Sequence, residues 1–306
     1  MAGTRRAVLF VNFHKADALA LADEIKRELG CLGIEAVLYS FEDTAVSSPA
    51  AGCDIAMSLG GDGTVLYAAR VVSPLDIPIL PINIGTLGFI AAVRPEEWSV
   101  VFREWLEGAA CISRRLMLDV TVERRGKTAV RAVCLNEAVI SSSGIAKIVR
   151  LKVSAETGDQ TDSCGGLLRL GHYRSDGLIV ATPTGSTAYS VAAGGPILDP
   201  EIEAVIINPI CPFTLSNRPI VVPAHETVIV EVEAEQRSGI LLTVDGQASE
   251  PLEPGDRILI HSAPFRTRLI ASGRRAFYTA LRTKLNWFGV PGEYPSDSWG
   301  IGGDHA

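Results

Sequence analysis

The residues whose types and spacing best suit chemistry are Gly60-Gly61-Asp62-Gly63-Thr64, between an apolar run (Cys53 to Leu59) and a helical pattern (Thr64 to Val72). Three glycines in four positions free the backbone to turn tightly and bring N–H groups close to an anion. A helix starting just beyond adds a favourable dipole for phosphate. Asp62 is out of place in such a cradle, because a carboxylate repels phosphate. Its presence makes sense if it works through Mg²⁺ or takes a proton from an attacking hydroxyl. A tight strand-to-helix turn with Asp62 as a cap explains the same letters, and the loop by itself does not decide between the two.

Two later stretches carry polar groups where structure alone would not place them. Asn136-Glu137 lies near the middle of an alternating strand, Ala129 to Ile140, where adjacent Asn and Glu suit a ligand better than a sheet, although a solvated edge pair is the simpler reading. Glu suits ribose hydroxyls and Asn suits base edges. Ser175 to Pro196 (SDGLIVATPTGSTAYSVAAGGP) runs from a buried strand, Leu178 to Ala181, into small hydroxyl residues, then Tyr189 and a Gly-Gly-Pro. Free backbone groups and a tyrosine face make a polar ligand loop; a long irregular hairpin is the alternative. Asp176 is a second acid beside that strand, and Asp245-Gly246-Gln247 reads as a turn or as a ligand contact. Gly185-Ser186 lacks the GxSxG frame of a nucleophile elbow. The five histidines are isolated, and no Walker A lysine loop is present.

The elements that must hold these residues fall into two patterns. Strands at Ala7 to Phe13, Ile34 to Tyr39, Cys53 to Leu59 and Ile77 to Ile82 alternate with helices at Lys15 to Gly30, Thr64 to Val72 and Pro95 to Gly108. This is the rhythm of a parallel α/β sheet with ligands beyond its carboxyl edge. The last strand enters a second glycine-rich turn, Asn83 to Phe89. After Cys111 the chain alternates with period two: Leu118 to Val122, Ala129 to Ile140, Ile148 to Val153, Thr227 to Glu233, Ile240 to Val244, Arg257 to His261 and Thr267 to Ala271. A short helix fits near Thr187 to Ala193. Glu156 to Leu170 reads as a mobile polar insert, and Ala276 to Leu285 as a helix packing back on the first domain. The residues from Pro291 onward read as a fraying end. The expected division is 1–111, 112–275 and 276–306.

A net charge of −7 and a pI near 5.3 argue against nucleic acid as the main partner. Six scattered cysteines, without a CxxC pair, favour a reducing compartment over a zinc site. Gly177 to Leu198 is uncharged, but its Gly, Pro, Ser and Thr make it a poor membrane helix. The apolar stretch near the N-terminus is too short for a signal peptide. A cytoplasmic protein without a membrane partner is expected.

Taken together, GGDGT, the NE pair and TPTGSTAY within SDGLIVATPTGSTAYSVAAGGP resemble the NAD kinase family, in the family's order and across nearly the whole chain. GGDGT alone is shared with lipid kinases and phosphofructokinases; TPTGSTAY is far more specific. The resemblance implies transfer of a terminal phosphate from ATP or polyphosphate to the 2′-hydroxyl of the adenosine ribose of NAD, with Mg²⁺ or another divalent metal. It implies a Rossmann-like α/β domain with a parallel sheet, followed by a β-rich sandwich-like domain. It further implies a homodimer or homotetramer whose site is shared between subunits. By position, Asp62 is the implied proton acceptor, with Gly63 beside the dinucleotide and Asn136 and Glu137 holding adenosine. Lys147, Arg174 and Asp176 are implied as further dinucleotide contacts, Thr187, Ala188, Tyr189, Ser190, Val191 and Ala192 as the adenine and ribose loop, and Gln247 as a late contact. No metal ligand is assigned. Ala192 stands where many members carry Ser, and the Glu156 to Leu170 segment is longer than is usual in the family. A diacylglycerol kinase-type lipid kinase and a non-catalytic dinucleotide-binding regulator are the alternatives.

Overall fold

A computed structural model describes residues 5–13, 15–40, 50–86, 88–144, 147–157, 166–214 and 216–285. Four parallel strands open the first sheet: Arg6–Val11 (β1), Glu35–Ser40 (β2), Ile55–Gly60 (β3) and Ile79–Asn83 (β4), laid side by side as β2-β1-β3-β4. Helices Ala16–Cys31 (α1), Asp62–Val72 (α2) and Trp98–Leu106 (α3) cover both faces. That coverage is why these strands are apolar throughout rather than alternating. On β1, Ala7, Leu9 and Val11 meet α1 and α3, while Val8 and Phe10 meet α2. Trp98, Phe102 and Trp105 pack ring against ring as core. The periodicity read from Pro95 to Gly108 resolves into a short 3₁₀ turn, Pro95–Glu97, followed by α3.

Two corrections concern this sheet. Thr267–Ile270 (β18), read from its alternation as a strand of the second domain, lies parallel to β4, and Ile112–Arg115 (β5) pairs antiparallel on its far side. Alternation reports a strand's faces and is silent on which sheet receives it. Helix α2 begins at Asp62 rather than at Thr64, with extended Gly61 as its cap. Thr64 instead packs over Gly60, where a Cβ would run into its Oγ1.

The second half is a sandwich of two six-stranded antiparallel sheets. One contains Leu118–Arg124 (β6), Lys127–Cys134 (β7), Val149–Glu156 (β9), Leu167–Ser175 (β10), Thr227–Val232 (β14) and Arg257–Ser262 (β17), in the order β10-β9-β14-β17-β6-β7. The other contains Glu137–Ser142 (β8), Gly177–Ala181 (β11), Ala204–Ile210 (β12), Ile220–Pro223 (β13), Ile240–Val244 (β15) and Ala248–Leu252 (β16), in the order β13-β12-β11-β8-β15-β16. Their inner faces share one core of Val, Ile and Leu. The strand read over Ala129 to Ile140 is in fact β7 and β8, which belong to different sheets. The chain changes sheets at Leu135 and Asn136. The ends of the insert read at Glu156 to Leu170 continue the β9–β10 ladder; 158–165 lie outside the described residues, as do 41–49 and 286–306.

Met117, Leu135 and Ala263 enter the same core as Val65, Leu66 and Ala69 of α2, so the two halves are joined by packing. A last helix, Arg274–Leu285 (α5), follows the short helix Tyr189–Ala192 (α4) in chain order. Its Phe277 stacks on Phe89 in the turn after β4, and Lys284 lies over the same ring. Among the described residues no helix is long and apolar enough to cross a membrane, and Cys31, Cys53, Cys111, Cys134 and Cys211 are free thiols.

Candidate functional site

Asp62 occupies the first turn of α2, where its negative charge suits the helix dipole. It does not cap its own helix. Its Oδ2 accepts the N–H of Phe89 at 2.9 Å, and its Oδ1 accepts those of Ile90 at 3.1 Å and Ala91 at 2.9 Å. The second glycine turn is therefore built around the first. A Cβ on Gly88 would enter the Asp62 carboxylate, which explains glycine there. Asn83 Nδ2 donates to Thr86 O at 2.8 Å, and Lys15 Nζ donates to Ile84 O at 3.0 Å, bracing the same turn. Asp62 remains half-buried, and three bonds leave one lone-pair direction of a carboxylate for another partner.

Beside it lies a cleft of about 400 Å³ lined by Asn12, Lys15, Gly61, Gly63, Thr64 and Gln247. The N–H groups of Asp62 and Gly63, which open α2, have no intrahelical acceptor and suit an anion, whereas Thr64 N already donates to Gly61 O at 3.0 Å. Lys15 adds a cation to the wall. In the sequence it is only the start of a helical pattern, with nothing local to set it apart from Lys26 or Arg27. Gln247 reaches in from the turn between β15 and β16, but both ends of its carboxamide are engaged. Nε2 donates to Gly63 O at 2.8 Å, and Oε1 accepts from Arg70 Nη2 at 2.5 Å. It thus ties the two halves of the chain together across the cleft.

Asn136 and Glu137 sit at the change of sheets, 7% and 6% exposed. Their turn is held by Asp245, which the sequence marks only as part of a turn or of a ligand contact with Gln247. Asp245 Oδ2 accepts the N–H of Leu135 at 2.9 Å, and Oδ1 accepts those of Asn136 at 2.8 Å and Glu137 at 3.1 Å. Burial first, then the Asp245 charge, push the Glu137 carboxyl up to about 8, against the opposing pull of the Tyr189 N–H. Asn136 Oδ1, Glu137 Oε2 and Thr184 Oγ1 are buried without a hydrogen-bond partner. Such atoms are costly unless something else satisfies them.

The TPTGSTAY segment closes directly over this pair. Thr182 N donates to Asn136 O at 2.8 Å, and Thr182 Oγ1 donates to Leu135 O at 2.5 Å. Gly185 has no room for a Cβ against the Asn136 backbone. Thr187 and Ala188 are half-buried, Tyr189 is exposed, and Val191 and Ala192 lie toward the surface. Ser190 is instead fully buried: Asn208 Nδ2 donates to its carbonyl at 3.0 Å. Ser186 is also buried, donating to Pro183 O at 2.6 Å, which is a structural duty rather than a nucleophile's.

The remaining expected residues lie elsewhere. Lys147, Arg174 and Asp176 are exposed, and Asp176 joins the far ends of β8 and β12 through Ser142 and Ile210. β11 separates that end from Thr182 by its five residues, roughly 17 Å of strand. Arg174 lines a separate pocket of about 170 Å³ with Ile148, Arg150, Phe213 and Arg237.

Thus one end of the molecule gathers a fixed carboxylate, a helix N-terminus, a lysine and unsatisfied buried Asn and Glu atoms. That set can hold a phosphorylated, hydroxyl-bearing ligand and take a proton from it. Comparison with known proteins agrees in kind. Residues 6–110 match the family description ATP-NAD kinase N-terminal domain, and residues 135–272 match ATP-NAD kinase C-terminal domain. The NAD kinase of Treponema denticola is 38% identical over 93% of this chain and 97% of its own. That of Geobacter sp. strain M21 is 37% identical over 92% and 99%. Among solved structures, an NAD kinase from Archaeoglobus fulgidus in complex with ATP is 26% identical and superposes with a TM-score of 0.68, covering 91% of this chain and 97% of that one. Yeast NADH kinase complexed with NADH superposes at 0.80 with 20% identity over 97% and 91%, a likeness of fold.

Proposed function

The chain belongs to the NAD kinase family, and from that premise we propose that it transfers the terminal phosphate of ATP to the 2′-hydroxyl of the adenosine ribose of NAD. The observation that carries this reading is the Asp62 carboxylate, pinned by three backbone N–H groups beside a glycine-lined cleft. A ribose hydroxyl is a poor nucleophile, and a carboxylate in reach takes its proton as the bond to phosphorus forms. Because Asp62 is already oriented, little reorganisation is needed at that moment. Asn136 and Glu137 hold the adenosine, and their unpartnered buried atoms gain partners when it binds. The loop from Thr187 to Ala192 covers the base and ribose, with Tyr189 offering a ring face.

The N–H groups opening α2, together with Lys15, bind phosphate oxygens. Among the described residues no group of three His, Cys, Asp or Glu side chains could cage a metal. A magnesium ion carried in on the triphosphate would find the Asp62 carboxylate as the acid oxygen beside the cleft. Such an ion would offset the charge that gathers on the transferred phosphoryl group. Lys147, Arg174 and Asp176, at the far end of the strands, serve the site of a second copy of the chain in a homodimer or homotetramer. The free thiols suit a cytoplasmic setting.

The test is a coupled assay for NADP formation with ATP and with polyphosphate in turn. NADP appearing with ATP, and its loss in Asp62→Asn, supports the reading. No product with any donor overturns it.

A further inference from the structure

We propose that Asp245 is a positioning residue for this reaction, holding Asn136 and Glu137 in the orientation that receives adenosine; the proposal rests on the dinucleotide kinase reading above. Three consecutive N–H groups, those of Leu135, Asn136 and Glu137, converge on its carboxylate, and Asp245 N donates back to Glu137 O at 2.9 Å. The residue is 5% exposed and takes a left-handed backbone, φ 50°. A non-glycine residue keeps that conformation only where its surroundings hold it there. The turn it fixes is the place where the chain leaves one sheet for the other: Asn136 lies between β7 and β8, and Glu137 opens β8 opposite Ala181, so on the side away from β11 it is Asp245 that holds their backbone. Two residues on, Gln247 grips Gly63. One short turn therefore sets the adenosine-holding pair in register with the first glycine loop.

The charged and titratable groups around Glu137 are few. Asp245 and the Cys134 thiol face it, the Tyr189 N–H bonds it, and Arg70 acts on Asp245 from α2. The Asp245 charge is thus felt by Glu137 as well as by the backbone, which gives a readout that a merely structural role would not move.

The experiment is steady-state kinetics on the full chain, NAD varied at saturating ATP, with kcat/KM for NAD followed against pH to report groups of the ATP-loaded enzyme before NAD binds. The wild type should bend near pH 8, where Glu137 loses its proton. Glu137→Gln should lack that bend. Asp245→Asn should bend at lower pH, because the neighbouring charge is gone. It should also raise KM for NAD by about tenfold to a hundredfold while kcat and KM for ATP stay within about threefold. Asp245→Glu, which keeps the charge but displaces it, should raise KM and leave the bend near the wild-type pH. An unshifted bend with unchanged KM in Asp245→Asn overturns the proposal. So does loss of cooperative thermal melting in both Asp245 variants, which would show a role in folding alone. A wild type that makes no NADP at any pH instead defeats the kinase reading, so the two failures are distinguishable.

Discussion

Two aspartates in this chain use one device to different ends. Asp62 and Asp245 each follow a strand, precede a glycine and take three consecutive backbone N–H groups from a distant segment. What separates them is water. Asp62 is half-buried next to an open cleft, whereas Asp245 is sealed among the turn it holds and burial pushes its carboxyl up despite the three donors. Amide trios fix a carboxylate in space, and access to solvent and ligand then decides whether it can exchange a proton or only orient its neighbours.

The sharpest way to break this comparison is to neutralise the open member. Asp62→Asn should lower kcat by about a hundredfold to ten-thousandfold, with NAD binding by calorimetry changed only a few-fold. If kcat falls as far in Asp245→Asn, the distinction is lost. Next in size, Gly88→Ala pushes a methyl into the Asp62 carboxylate. It should cost about a hundredfold in kcat/KM; Gly246→Ala is the contrasting measurement, since its Cβ position is open but its φ of 64° strains any side chain, so it should lower stability and raise KM for NAD while kcat holds within a few-fold.

A smaller effect concerns stability. The folded-state carboxyl of Glu137 lies near 8, above its ordinary 4.5. From about pH 5 to pH 8 the folded chain therefore holds a proton that the unfolded chain has released, and stability declines as pH rises through that window. The slope due to one such group is at most about 1.4 kcal/mol per pH unit. Urea unfolding should show Glu137→Gln with a flatter pH dependence. A slope unchanged by that substitution would move the buried charge elsewhere. Smallest of all, Gln247→Ala removes two bonds at an exposed tie and should cost about 1 kcal/mol of stability, with a few-fold rise in KM for NAD.

Part of this arrangement is legible in the amino-acid sequence. Gly60 to Thr64 reads as a strand-to-helix turn, open either to an anion or to an Asp cap, because glycine spacing and helix dipole are local properties; that Asp62 instead binds the turn at 89–91 is not local. Apolar runs marked β1, β3 and β4 because covered parallel strands need no alternation. What failed to show was pairing over distance. Nothing near Asp245 signals that its carboxylate receives N–H groups from Leu135 to Glu137, over a hundred residues earlier. Nothing in the alternation of Thr267 to Ile270 says that it joins the first sheet. Asn136 and Glu137 stand out as misplaced in the middle of a strand, and the reason is that β7 ends before them and Glu137 opens β8 in the other sheet. Lys15 and Asn208 carried no signal at all, since their value lies in what folding brings beside them.

The account stands on Asp62 reaching the oxygen that accepts phosphate. The direct measurement is a crystal structure of the wild-type chain with NAD and a non-hydrolysable ATP analogue. It should place an Asp62 carboxylate oxygen about 2.6–3.2 Å from the adenosine 2′-oxygen, in hydrogen-bond reach. A 2′-oxygen facing another group, with the Asp62 carboxylate still occupied only by the amides of 89–91, would contradict it.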